Sequence, residues 1–378
     1  MIKKILLPSL ALVLFTGCLS TAEKKAIEQN NRRMINSIQY PATARLKYTL
    51  DRGADPNLKD QFGVPVLFRA IAAKKMEHAK MLLDRGADIH AVDQDGETVL
   101  YAAVATNDIK IVDALIKKGV SVNVSNKIGK TPAMEAARLG YFEMLKFLID
   151  KGADINAVDD NTASLAAYAA AADKNAVKIL KYLKSKGIKV DLNNTSLYGS
   201  PFLRALFYNR VDTAVTLLSE MQNLDTDDRM KQIGKLAAYY AISHNEIGLL
   251  KALIQKKLVL NYNEPLYYKI VNQFKVDGIY KLAARNDVID KRYTPLMYAC
   301  IFGRTAMVQL LIDSGANPVI ENNEGRIAQD YAKDNATARL IEKKTKEWQS
   351  KYLGKKKTQK GLIIDRNNNV KRATVLGM

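Results

Sequence analysis

Two cysteines and three histidines are all that this sequence offers for thiolate, imidazole or soft-metal chemistry. His78, His90 and His244 lie far apart, and none has a second His or Cys at metal-ligand spacing, so each is read as structural. The aspartates are more regular: Asp55, Asp88 and Asp154 fall on a 33-residue period, and acids are paired at Asp93/Asp95 and Asp159/Asp160. Paired carboxylates can do general acid–base work, but a carboxylate just after a helix also accepts backbone N–H groups in a tight turn, and the period favours that role. The glycines are spread along the chain rather than clustered, and there is no phosphate-cradling loop, dinucleotide fingerprint or Gly-x-Ser-x-Gly elbow. Catalytic residues, cofactor and metal site are all expected to be absent.

The elements that position these residues follow the same period. Gly53, Gly86, Gly119 and Gly152 are each 33 residues apart and follow endings such as LLDRG, LIKKG and LIDKG. A helix that stops needs a left-handed residue to satisfy its last carbonyls, so the glycines predict recurrent helix ends. Helix starts recur too: Thr131-Pro132 and Thr294-Pro295 pair an N-cap oxygen with a residue preset for the first turn, Thr98 keeps the cap before Val99, and Pro201 and Pro265 keep the proline alone. Small pairs, Ala136-Ala137 and Ala299-Cys300, let first helices approach closely, while Leu145, Leu148 and Ile149 fill the layer between repeats.

GKTPAMEAARLGYFEMLKFLIDKGADINAVD (129–159) and YTPLMYACIFGRTAMVQLLIDSGANP (293–318) resemble the ankyrin family. The resemblance implies an all-α ankyrin-repeat solenoid of about ten helix-turn-helix units with short β-turn or hairpin fingers. The expected partition is a signal peptide over 1–17, a tether over 18–30, ankyrin repeats over 31–343, a helix end over 344–353 and a basic flexible tail over 354–378. The repeats are degenerate at about 227–288, where Leu258 stands in the place expected for glycine. In ATARLIEKKTKEWQSKYL, Leu340, Trp348 and Tyr352 are expected on one helix side, with Trp348 covering the last repeat.

MIKKILLPSLALVLFTGC reads as a bacterial export signal, too short and wrongly flanked for a membrane span. Phe15-Thr16-Gly17-Cys18 resembles the lipobox of bacterial lipoproteins, with Phe15 where Leu is usual, and implies lipidation of Cys18. That leaves Cys300 without a partner, so it is read as core filler and no disulfide is expected. Leu19 after the cysteine favours the outer membrane, facing the periplasm, over the inner membrane or cell surface. The net charge is +19, and eleven Lys or Arg against two acids lie between Lys343 and Met378. That tail could reach anionic phospholipid or simply stay solvated. Export and the lack of a binding motif set nucleic acid aside.

The family resemblance implies a concave face that binds another protein, the chain itself being a monomer. Its candidate partner-binding residues are Phe62, Arg69, Asp95, Glu97, Lys127, Ile128, Lys130 and Arg138, beside Val64 and Glu135. Phe62 and Ile128 are either exposed anchors or tucked against neighbouring fingers. The leading expectation is a non-catalytic, envelope-tethered binding module. Its alternatives are an immunity-type protein that neutralises a secreted toxin, a structural spacer, or an enzyme in the degenerate repeats, where Tyr239, Tyr240, Tyr262, Tyr267 and Tyr268 are equally well read as core.

Overall fold

The computed structural model describes residues 20–188, 199–221, 228–257, 261, 292–353, 362–364 and 370–372. Cys18, Pro265, Tyr262, Tyr267 and Tyr268 lie outside them. The chain divides into two compact units, 1–169 with 173–188, and 170–172 with 189–378. Among the described residues no helix is long and apolar enough to cross a membrane.

The first unit opens with α1 (Thr21–Ser37) and α2 (Ala44–Asp51). Helix pairs follow: α3 (Val66–Ala72) with α4 (Met76–Asp84), α5 (Val99–Ala105) with α6 (Ile109–Lys117), and α7 (Pro132–Arg138) with α8 (Phe142–Asp150). Next come α9 (Leu165–Ala170), whose last residue belongs to the second unit, and α10 (Ala176–Ser185). First helix stacks on first helix, α3 on α5 and α5 on α7, across small side chains. Ala103, Ala136 and Ala137 are wholly buried, as are Met144, Leu145 and Leu148 beneath them. Each fully buried Leu contributes about 1.5–3 kcal/mol relative to exposure, so stacking rather than intrinsic propensity holds these six- to ten-residue helices.

Within the stretch 18–30 read as a tether, the described residues from Thr21 onward are helical. The Ser20 hydroxyl accepts from the Glu23 N–H (3.3 Å) while the Glu23 carboxylate accepts from the Ser20 N–H (2.8 Å), a capping box that starts α1 at Thr21. Met34 and Ile38 bury the helix end against α2, and the buried Asn30 amide donates to the Thr49 carbonyl (2.9 Å).

Periodic glycines take the role expected of them. Gly119 ends α6 at φ 96°, with its N–H donating to the Ile116 carbonyl (2.9 Å). Thr98 does not behave as expected. It stands at the N-cap of α5, but the Tyr101 N–H turns to the Thr98 carbonyl (3.0 Å) and leaves the buried Thr98 hydroxyl without a partner. At α7 the Thr131 hydroxyl accepts from the Met134 N–H instead (3.3 Å).

The second unit holds α11 (Pro201–Phe207), α12 (Val211–Glu220), α13 (Asp228–His244), α14 (Ile247–Gln255), α15 (Pro295–Ile301), α16 (Thr305–Asp313), a 3-10 turn (Ala328–Tyr331) and α17 (Asn335–Leu353). After α14, Lys257 adopts φ 58° and donates its N–H to the Ile254 carbonyl (2.9 Å), the geometry glycine supplies elsewhere; Leu258 lies outside the described residues. On α17 the buried stripe is Thr337, Ile341 and Thr345, with Leu340 and Trp348 half-buried beside it. Thr337 turns inward because its hydroxyl bonds Asp334 (2.7 Å) and meets the Thr305 hydroxyl (3.0 Å). In the segment read as a flexible tail, β1 (Leu362–Ile364) pairs antiparallel with β2 (Val370–Arg372).

Candidate functional site

The fingers between repeats are built by one side-chain oxygen each. Asp60 Oδ1 accepts from the N–H groups of Phe62 (2.9 Å) and Val64 (3.0 Å). The same geometry recurs 33 residues on at Asp93, then at Asn126 and Asp159, and again at Asn322 in the second unit. A second series, Asp55, Asp88 and Asp154, accepts from the N–H two residues ahead at 2.8–2.9 Å. These carboxylates are consumed by turns, as the period suggested.

Neighbouring fingers are also joined edge to edge. Lys127 N–H donates to the Asp95 carbonyl (3.0 Å) and Asp160 N–H to the Ile128 carbonyl (3.0 Å). Asn57 and Asn123 staple the turns behind them: Asn57 Nδ2 donates to Gly86 O (3.3 Å) and its Oδ1 accepts from Asp88 N–H (2.6 Å), and Asn123 does the same to Gly152 (3.0 Å) and Asp154 (2.8 Å). His90 is exposed at the equivalent place between them.

A family model of ankyrin repeats in three copies matches residues 34–126, 67–159, 105–196 and 205–344. The chain belongs to the ankyrin repeat family. The last match spans the degenerate region. Ankyrin repeats generally mediate protein–protein interaction, and the family is typically non-enzymatic.

On the ankyrin finger tips of the first unit, Phe62 is 60% and Ile128 47% exposed, and Asp95 and Lys127 beside them are exposed as well. Arg69 stacks on Phe62 (5.8 Å to the ring centre) and donates through Nε to Asp60 Oδ2 (2.6 Å). Burial pushes the Asp60 carboxyl up, but the Val64 and Phe62 N–H groups and Arg69 outweigh it and hold it below the usual carboxylate range. The sequence reading missed this pairing, which Asp60 nine residues before Arg69 could have signalled.

Glu135 organises the centre of the face. It accepts two bonds from Arg138 (2.8 and 2.6 Å) and pairs with Lys130 (2.5 Å), and its side chain is only 11% exposed. Lys130, read from sequence as free of packing, is 13% exposed and lies over the Tyr101 ring (6.0 Å), because Glu135 draws it inward. Burial raises the Glu135 carboxyl, yet the hydrogen bonds and charges of Arg138 and Lys130 bring it below its ordinary value. Glu97 moves the other way: burial raises it, Lys130 lowers it, and Asp93, Glu135 and Asp95 raise it further. Glu97, Lys130, Glu135 and Arg138 thus form one connected group, while Phe62 and Arg69 form another with Asp60.

The remaining reactive side chains are packed. Cys300 is wholly buried, and burial, with a contribution from Asp334, pushes its thiol up to about 12. Tyr239 and Tyr240 are core residues, and Tyr239 meets Tyr298 edge to face at 4.4 Å. Among the described residues no group of three His, Cys, Asp or Glu could hold a metal ion.

Proposed function

We propose that this ankyrin protein is tethered to the bacterial envelope through lipid on Cys18 and captures a protein partner with the finger and first-helix face of its first unit. The observation that carries the binding surface is the exposure of Phe62 and Ile128 on fingers fixed by hydrogen bonds. Rigid apolar tips flanked by charge suit an interface anchor, because little ordering is left to be done on binding. The ion pairs around Glu135 supply a charged centre whose geometry is set before a partner arrives.

Support for the tether is the lipobox-like Phe15-Thr16-Gly17-Cys18, and Leu19 supports the outer membrane, facing the periplasm. Several acyl chains, each methylene contributing on the order of 0.8 kcal/mol, would make attachment nearly permanent. Palmitate labelling of cells tests the tether: label enters the wild-type chain and not C18A, and label on C18A refutes it. Affinity capture from an envelope extract tests the face. Replacing Phe62, Ile128 and Arg138 together by alanine abolishes capture, and undiminished capture would remove this face from the proposal.

A further inference from the structure

Outside the fingers, a cleft lies where α1 meets α2. It encloses about 510 Å³, within the range of small-molecule sites, and its walls include Arg33, Asn36, Tyr40, Arg45 and Tyr48. No carboxylate lines it. On the same two helices, Glu28 pairs with Arg32 (2.7 Å) and Asp51 with Arg85 (2.5 Å). Arg45 lies over the Tyr40 ring (4.2 Å), which orients its guanidinium while leaving the donor edge unspent.

Other donors in the cleft are already committed. The Ser37 hydroxyl donates to Met34 O (2.6 Å) and the Thr49 hydroxyl to Leu46 O (2.8 Å). The loop that carries Tyr40 is fixed by Lys75, whose ammonium donates to the carbonyls of Ile38 (2.7 Å) and Tyr40 (2.9 Å). Two cations, an amide and two phenol rings, all at the surface, thus line a volume far larger than an inorganic anion; Arg45 lies over one ring and Arg52 over the other (5.3 Å from the Tyr48 centre).

The geometry points to a binding site for a phosphate ester, its phosphate taken by Arg33 and Arg45 and its uncharged organic part lying between Tyr40 and Tyr48. Fork-shaped guanidinium donors match phosphate oxygens, and tyrosine faces accept a polyol or glyceryl group. The site is independent of the finger face and of the tether. Its ligand is either a soluble ester or the headgroup of a phospholipid.

Two titrations of the full chain, wild type and R33Q/R45Q, separate these sources. Calorimetry with glycerol 3-phosphate gives saturable binding if the ester is soluble, weakened at least ten-fold in R33Q/R45Q. Sedimentation with phosphatidylglycerol vesicles, against phosphatidylcholine vesicles, gives a loss of that size only there if the ligand is lipid. The basic tail contributes equally to both proteins and cancels. Y40A, which keeps both charges, weakens binding as well. Absence of binding in both titrations, or binding unchanged in R33Q/R45Q with both proteins folded by circular dichroism, overturns the site.

Discussion

Replacing His90 by Asn is expected to stabilise the first unit. Asn57 and Asn123, 33 residues to either side, each donate to a glycine carbonyl and accept from an N–H of the next repeat, at distances of 2.6–3.3 Å. The His90 ring is exposed and makes neither bond to the corresponding Gly119 or Ser121. Asparagine there would gain a pair of hydrogen bonds, each contributing about 0.5–1.5 kcal/mol net. Ordering an exposed amide side chain costs up to about 1 kcal/mol of that, leaving a gain of ~1 kcal/mol. Urea unfolding followed by circular dichroism should show a higher midpoint with an unchanged m value, and Tm should rise by about 2–4 °C. The reciprocal change N57H should lose a similar amount. If H90N is no more stable than wild type while N57H is harmless, the staples do not couple adjacent repeats and the reasoning fails.

Three further outcomes follow from the same geometry. T98V is expected to be neutral or slightly stabilising, since it removes a buried unpaired hydroxyl, whereas T131V should cost about 1 kcal/mol by removing a used cap; equal losses in denaturant titrations would contradict the two geometries. The Glu135 carboxyl titrates below its unfolded value, so its contribution to stability is present above about pH 4.5 and is lost as pH falls through the folded pKa; E135Q should flatten that part of the stability–pH curve. His78 is buried, its ring lowered by desolvation and by Lys75 against a bond that it donates to the Tyr40 backbone carbonyl, so stability should fall as pH drops below the unfolded value of about 6.5. A wild-type curve level between pH 7 and 5.5, or one unaltered in H78F, would contradict that assignment.

Much of this fold was legible because punctuation outlasts the rest of the sequence. Glycines at a fixed interval and Asp or Asn at finger starts act through local backbone bonds, so each reads correctly without knowledge of its neighbours. Helix α1 was harder: its buried positions include Asn30 and Ser37, so no clean apolar stripe marks it, and only Ser20-x-x-Glu23 announces its start. At α5 the competing acceptor of the Tyr101 N–H was the Thr98 carbonyl, which composition cannot reveal. The candidate site was half legible. Exposure of Phe62 and Ile128 follows from their place in a finger, but the inward turn of Lys130 depends on Glu135 in the next helix. The Arg33–Tyr48 cleft escaped notice because its residues belong to two helices and no single motif joins them.

The finger face as a protein-binding surface is tested most directly by photo-crosslinking in living cells, with benzoylphenylalanine placed at Phe62, at Ile128 and, as a control, at the exposed Lys146 on α8. A discrete adduct of one partner protein is predicted at both finger positions and none at Lys146. Adducts at Lys146 alone, or none at either finger tip, would contradict the account.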